Sequence, residues 1–330
     1  MRRLALIVVI LTSTAVLVAG CGGSGGATAA DRPAPSASLV LDFTPNPVHV
    51  GIYTALARHY DTAAGVHLHV IVPGASTDSI SLLEKGRVNF AILDIHDLAI
   101  AREHGQDIVG ILPIVEQPLA AVIAAPGITS PRQLDGRTVG ITGDPSDTAV
   151  LDSIVSGAGG KPSDLHTITI GYDAVSDLLG GRVAAATAFW NDEGVTLNRS
   201  RPGFHSFRVD DYGAPSYPEL VVCATAQSLK AHPGLARSVV DTLVHGYGTA
   251  LSDPSLGQRS LESEVPGLGH ALDTAELAAL RPAFTGPEGH FGVLDIPLLK
   301  TWAKWEARFG IVRGVPDVGT MFDTAFAPKG

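Results

Sequence analysis

Asp42-Phe43-Thr44-Pro45-Asn46-Pro47-Val48-His49-Val50-Gly51-Ile52-Tyr53 joins an apolar, strand-like run over 38–41 to a segment in which Val48, Ile52, Leu56 and Tyr60 recur at helical spacing. Two prolines flank Asn46, and a proline inside the following helix would lose a hydrogen bond, so 45–47 reads as the turn and 48–60 as the helix. A strand that ends in a rigid polar turn before a helix presents that turn at its carboxyl end, where open α/β sheets bind ligands. The competing reading is a plain strand-to-helix connection.

Outward from this stretch the pattern continues as strand, helix, strand, helix. Residues 67–72 read as a strand, 76–85 as a helix capped by Ser76 or Thr77, and 90–93 as a strand running into Asp94-Ile95-His96-Asp97, which opens a helix to His104. Such alternation belongs to a mostly parallel, doubly wound sheet. The apolar runs 107–115 and 119–125 then follow back to back and break it, which marks a crossing into a second lobe. That lobe repeats the arrangement with a polar turn over 142–147, a helix over 148–156, a strand over 166–170 and a helix over 173–179. Gly86-Arg87-Val88 before the strand ending at Asp94 is echoed by Gly181-Arg182-Val183 before the strand ending at Trp190-Asn191-Asp192-Glu193. A strand over 219–225 would return to the first lobe. Helices over 233–251, 273–280 and 295–309 complete the chain, with Trp302 and Trp305 read as packing residues. The expected organisation is one lobe from 38–120 and 220–330 and a second from 121–219. Loops 42–49, 94–97, 142–148 and 190–193 would then line one cleft.

The chain opens Met1-Arg2-Arg3, runs apolar to Leu17 and reaches Val18-Ala19-Gly20-Cys21, the pattern of a signal peptide over 1–20. A cysteine directly after Ala-Gly fits a bacterial lipobox, in which Cys21 becomes the lipidated first residue. Residues 21–37, rich in Gly, Ala, Ser and Pro, read as a flexible tether. These features place the folded part outside the cytoplasm, anchored to the bacterial cell membrane. Cys223 alone remains beyond Cys21, so a hydrophobic core must hold the fold, and the 45% hydrophobic content supplies one. The net charge of -10 without a Lys/Arg run excludes nucleic acid as a partner. With Asp and Glu dispersed along the chain, this acidity reads as solubility.

The twelve histidines form no zinc pattern, and Gly-x-Ser-x-Gly, P-loop and dinucleotide fingerprints do not occur. What remains is a set of aromatic and polar residues at strand ends. Phe43, Tyr53, Trp190 and Tyr217 suit stacking on a planar ligand, while Asn46, His49, Asp94 and Glu193 suit its hydrogen bonds. Ser146 and Asn191, on the facing loops, complete the candidate set. For His49 the competing role is a bond to its own helix start, and for Glu193 it is to complement a helix dipole.

The opening stretch resembles the Asp/Asn-Trp-x-Pro-x-x-x-His-x-Gly-[Ile/Leu]-Tyr signature of the SsuA/THI5-like (NMT1) substrate-binding proteins. Gly86-Arg87-Val88-Asn89-Phe90, Leu134-Asp135-Gly136-Arg137-Thr138-Val139-Gly140 and Phe189-Trp190-Asn191-Asp192-Glu193-Gly194 resemble later signatures in the same order. The resemblance spans 38 to about 251. It implies a type II periplasmic-binding-protein fold, two α/β lobes joined by a two-crossing hinge around a ligand cleft. It further implies a monomeric, non-enzymatic receptor without cofactor, which serves an ABC permease and its ATPase and binds a small molecule near the thiamine pyrimidine precursor. Carried over, Phe43, Asn46 and His49 would contact the ring from one lobe and Trp190 and Glu193 from the other. Phe43 stands where the signature has Trp, which keeps stacking but drops an N–H donor and leaves riboflavin-like and sulfonate-like ligands open. The resemblance also reaches a pyridoxal-phosphate-dependent pyrimidine synthase. Against that second reading, strand 90–96 has no lysine and 209–226 holds only Cys223.

Overall fold

The computed structural model describes residues 34–74, 78–144, 146–286 and 289–329. The expected signal peptide, Cys21, most of the tether and the expected caps Ser76 and Thr77 lie outside the described residues. The described strands are β1 (Ser36–Val40), β2 (His67–Ile71), β3 (Phe90–Asp94), β4 (Ile108–Val115), β5 (Ala120–Ala124), β6 (Thr138–Ile141), β7 (His166–Thr169), β8 (Ala185–Phe189), β9 (His205–Arg208) and β10 (Leu220–Thr225). They form two five-stranded sheets, ordered β2-β1-β3-β10-β4 and β7-β6-β8-β5-β9. In the first, β1 runs parallel to β2 and β3 while β10 runs antiparallel to β3 and β4. The second repeats this, with β6 parallel to β7 and β8 and β5 antiparallel to β8 and β9.

The fourth place in each sheet belongs to the strand that arrives from the other: β5 enters the second sheet directly after β4, and β10 returns to the first after β9. These crossing strands and β4 are buried along nearly their whole length, which is why they read as unbroken apolar runs instead of alternating ones. The Gly-Arg-Val echo has a structural cause. Gly86 and Gly181 each follow a short helix, Ser79–Glu84 and Ala174–Gly180, in the left-handed region at φ 62° and 70°, a conformation that favours glycine at a helix end. Each turn then delivers the chain to the third strand of its sheet.

Several boundaries differ from the sequence reading. Pro47 is not in the turn but opens a 3₁₀ segment, Pro47–His49, because a first helical position has no hydrogen bond to lose. The helix expected over 48–60 is Val50–Ala57 and then Tyr60–Ala63, divided at His59, whose φ of 58° ends the first piece. Asp78 caps Ser79–Glu84 by accepting the Ser81 N–H at 2.8 Å. Helices Ala226–Ala231 and Pro254–Glu264 and strand β9 have no counterpart in the sequence reading. Trp302 and Trp305 are buried on helix Ile296–Arg308, and the Trp305 Nε1–H donates to Ser153 Oγ at 3.3 Å on helix Asp147–Gly157. Among the described residues no helix is long and apolar enough to cross a membrane.

Helix Val50–Ala57 lies directly on helix Pro233–Ser252. A Cβ on Gly51 would stand 2.2 Å from Tyr247 Cγ, and one on Gly246 would stand 2.1 Å from the Gly51 carbonyl oxygen. The Tyr247 hydroxyl donates to Val48 O at 2.8 Å and so pins the end of the 42–49 turn. Gly51→Ala forces this buried ring aside, and overpacking of this kind costs about 1–3 kcal/mol. The expected outcome is a lower urea midpoint at unchanged m-value; an unchanged midpoint would refute the close crossing.

Candidate functional site

A cavity of about 380 Å³ opens between the two sheets at the carboxyl ends of β1, β3, β6 and β8, the position at which open α/β sheets bind ligands. Each wall is built from short polar connections. On the first-sheet side Asp42, Phe43 and Asn46 follow β1, and Asp94 ends β3 while capping helix Ile95–Glu103, its Oδ1 accepting the His96 N–H at 2.7 Å. On the other side Thr142, Asp144, Ser146 and Asp147 follow β6, and Asn191, Asp192 and Glu193 follow β8. Tyr172, beyond β7, meets Phe43 with ring centroids 5.6 Å apart and planes tilted by 51°. These two partly exposed rings come from opposite sheets and meet beside the cavity they both line.

Six of the ten expected site residues line this cavity: Phe43, Asn46, Asp94, Ser146, Asn191 and Glu193. Not all of them are unengaged. Asn46 caps the 3₁₀ turn, its Oδ1 accepting the Val48 N–H at 2.8 Å and its Nδ2 donating to Thr44 O at 3.2 Å. Glu193 Oε2 accepts the Phe189 N–H at 3.0 Å and holds the β8 loop in shape.

The other four lie elsewhere for definite reasons. His49 is fully buried: Nδ1 accepts the Asn46 N–H at 3.2 Å, which leaves Nε2–H to donate to Asp42 Oδ1 at 2.9 Å. It locks the turn from behind, the competing role that its position at a helix start allowed. Tyr53 packs in the core of the first sheet, where burial, and Glu264 after it, push its hydroxyl up to about 12. Trp190 is closed on its edge and on its face, since Nε1–H donates to Pro118 O at 2.9 Å and the Arg208 guanidinium lies 4.3 Å from the ring centroid. Tyr217 has no exposed surface and sits behind His96, with its hydroxyl 3.2 Å from His96 Nε2.

The sequence reading missed Tyr172, His96, Asp97, Asp192 and Glu219. His96, Asp97 and Asp192 lie in the loops 94–97 and 190–193 that were expected to line the cleft, but they were not singled out there. Tyr172 carries no periodic signal, and Glu219 reads simply as the start of a strand. Nine carboxylate side chains line the cavity, with no Lys or Arg among the described lining residues. The dispersed acidity taken as solubility is gathered here by the fold. Ala75, Ser76, Thr77 and Pro145, which adjoin lining residues in sequence, carry no charge either.

The cavity floor holds a buried polar cluster. Glu219 Oε2 accepts the N–H groups of Leu119 and, at 3.1 Å, Ala120, so one carboxylate fastens both crossing segments together. His96 Nδ1–H donates to Glu306 Oε1, and both residues are essentially inaccessible. Burial opposes a charge on His96, but Glu306, Asp94 and Glu219 outweigh it and raise the imidazole to about 10. Burial lifts Glu219 to about 8, with Asp94 adding to the rise, and burial likewise lifts Asp97 and Glu193 to about 7 and Asp94 above its ordinary range. Asp94, His96 and Glu219 bring ligand-type atoms within 4.8 Å of one another, yet both ring nitrogens of His96 already have protein partners.

A family model described as NMT1/THI5 like matches residues 46–256. The chain belongs to the NMT1/THI5-like family. Within and around it, the formylaminopyrimidine-binding protein of Halalkalibacterium halodurans is 26% identical over 283 residues, covering 83% of this chain and 86% of that protein. The 4-amino-5-hydroxymethyl-2-methylpyrimidine phosphate synthase THI5 of Saccharomyces cerevisiae is 22% identical over 231 residues, or 66% and 67% of the two chains. The family therefore joins this chain to binding proteins and to synthases alike. In architecture it matches the periplasmic aliphatic sulphonate binding protein SsuA from Escherichia coli with a TM-score of 0.70 at 14% identity, over 89% of this chain and 94% of that one. The NMT1/THI5-like chain thus has the two-lobed, type II periplasmic-binding-protein fold anticipated from its motifs.

The raised groups carry one sign. Asp97, Glu193 and Glu219 bind a proton more tightly folded than unfolded, so their contribution to stability is whole below about pH 4 and is lost as pH rises through 7 to 8. His96 acts in the same direction over a later window, from its unfolded value near 6.5 up to about 10. The melting temperature of the protein is expected to fall steadily between pH 5.5 and 8.5, as followed by circular dichroism. A rise over that interval would contradict this account of the cluster.

Proposed function

We propose that this NMT1/THI5-like chain is the extracytoplasmic receptor of an ABC importer, closing two lobes on a small planar nitrogen heterocycle of the thiamine pyrimidine precursor type. The observation that carries this reading is the cleft itself: about 380 Å³, at strand carboxyl ends of both sheets, with Phe43 and Tyr172 facing each other beside it. That volume suits a single substituted ring. The lobes are taken as 38–120 with 220–330, and 121–219, so that the crossings at 116–119 and 213–219 act as hinges. Phe43 and Tyr172 stack on the ring, while Asp94, Ser146 and Asn191 meet its polar edge and Asn46 and Glu193 shape the loops that carry them.

The name of the H. halodurans relative supports a pyrimidine ligand. The acidic lining weighs against a sulfonate, which would meet nine carboxylates and no lysine or arginine among the described lining residues. With no lysine among the described lining residues, the lining also offers no Schiff-base partner for pyridoxal phosphate, which weighs against the synthase reading. The protein is taken to be a monomer, exported by its leading segment and held to the membrane through lipid on Cys21, with a permease and its ATPase as partners.

Titration calorimetry with 4-amino-5-hydroxymethyl-2-methylpyrimidine and its formylamino precursor is expected to give saturable heat and a raised melting temperature. Phe43→Ala and Tyr172→Ala should each weaken binding by about tenfold, the equivalent of roughly 1.4 kcal/mol. Trp190→Ala, by contrast, should act on stability more than on affinity. No heat and no thermal shift with either compound would remove the pyrimidine assignment.

A further inference from the structure

The cavity floor offers hydrogen-bond acceptors that no protein group satisfies. Thr187 Oγ1, Asn191 Oδ1 and Glu219 Oε1 are buried side-chain atoms without a hydrogen-bond partner among the described residues, and all three residues line the cavity. They are at most 3% exposed. Leaving such atoms unmatched costs about 1–3 kcal/mol each, so the site is built for a ligand that donates. The charges agree. Asp94 and Glu219 bring carboxylate oxygens within 4.8 Å of one another, Asp94 adds to the rise of Glu219, and two carboxylates so placed do not both ionise unless a positive group lies between them. His96 does not supply that charge in full, because its Nδ1–H is committed to the buried Glu306.

We infer that the ligand is held as a cation, an amine-bearing nitrogen heterocycle whose positively charged N–H edge lies between Asp94 and Glu219 and which carries no phosphate or sulfonate group. The inference rests on the receptor reading of the cleft and narrows it to a charge class. A protonated ring nitrogen beside an exocyclic amine presents two adjacent N–H donors, one for each carboxylate, and each contact is charge-assisted. Glu219 has one oxygen for this task, Oε1, while Oε2 stays on the Leu119 and Ala120 N–H groups. Asn191 Oδ1 and Thr187 Oγ1 are left for the remaining donors. An unphosphorylated compound enters such a site, whereas its phosphate ester meets a wall of like charge.

The test is a calorimetric comparison on the purified protein with four probes: 4-amino-5-hydroxymethyl-2-methylpyrimidine, its phosphate monoester, 4-aminopyridine, which is a cation at neutral pH, and aniline, a neutral amine of the same size. The expected pattern is binding of the first pyrimidine at least 100-fold tighter than of its ester, and of 4-aminopyridine at least tenfold tighter than of aniline. Glu219→Gln keeps an acceptor for the Leu119 and Ala120 N–H groups, and Asp94→Asn keeps a cap for the helix. Each should weaken the two cations at least tenfold and narrow the gap to aniline, with melting curves confirming that both variants fold. Equal binding of the alcohol and its ester, or cation affinity untouched by both variants, overturns the inference while leaving the pyrimidine receptor standing. Charge-selective binding of 4-aminopyridine without any binding of the pyrimidine does the reverse. Silence from all four probes overturns both. Stabilisation by Zn2+ alone, together with loss of organic ligand binding in EDTA, would assign the three acceptors to a metal and overturn the inference as well.

Discussion

One carboxylate holds together the parts of the molecule that have to cooperate. Glu219 stands at the entry to β10, the strand that returns from the second sheet to the first, and its Oε2 accepts N–H groups from Leu119 and Ala120, where β5 leaves the first sheet for the second. The two chain crossings are thereby fixed to each other at the cavity floor. These two bonds fasten the crossings without a disulfide, since Cys223 is free and buried. Because the other oxygen of Glu219 belongs to the cavity residues, the group that joins the crossings also faces the ligand space.

Around this point the fold concentrates unlike environments. Hydrophobic residues of both sheets continue into one packed body through helix Ile296–Arg308, where Trp302 and Trp305 cover His96 and reach helix Asp147–Gly157. That apolar cover encloses the His96–Glu306 pair. Inside low-dielectric surroundings a charge is tolerated only beside its partner, and the pair is what lets the chain bring three more carboxylates, Asp94, Asp97 and Glu219, close to the same floor. Acidic groups that cost stability in isolation are retained where a ligand can compensate them, a common arrangement at binding sites.

Much of this architecture was readable from residue order. Alternating apolar runs and polar strand ends gave the two sheets, and Asp94 and Asp295 announced their helices as capping residues do. The 42–53 signature does supply one wall of the cavity but overstated how many of its residues touch it. His49, Gly51 and Tyr53 are held by Asp42, Tyr247 and the sheet core, so their shared presence in the motif reflects the construction of the turn, with Phe43 and Asn46 left to face the opening. Trp190 misled for a similar reason, since an aromatic at a strand end is a stacking surface only if nothing else covers it, and Arg208 does. What the residue order did not reveal is pairing at long range. Nothing local distinguishes Tyr172 from any other exposed tyrosine, and carboxylates spread from Asp42 to Glu219 give no hint that nine of them converge.

The placement of the tryptophans has a consequence for how motion in this protein can be seen. All three lie away from the cavity lining: Trp302 and Trp305 in the shared core and Trp190 with its indole N–H on Pro118, in the segment that joins the two sheets. Of the three, only Trp190 reports on the crossing segment, and none lines the cavity to meet a guest directly. If the proposed receptor closes on its ligand, a spectral change on adding a small molecule would register strain at the Trp190–Pro118 contact, which makes light from Trp190 a native gauge of that closure.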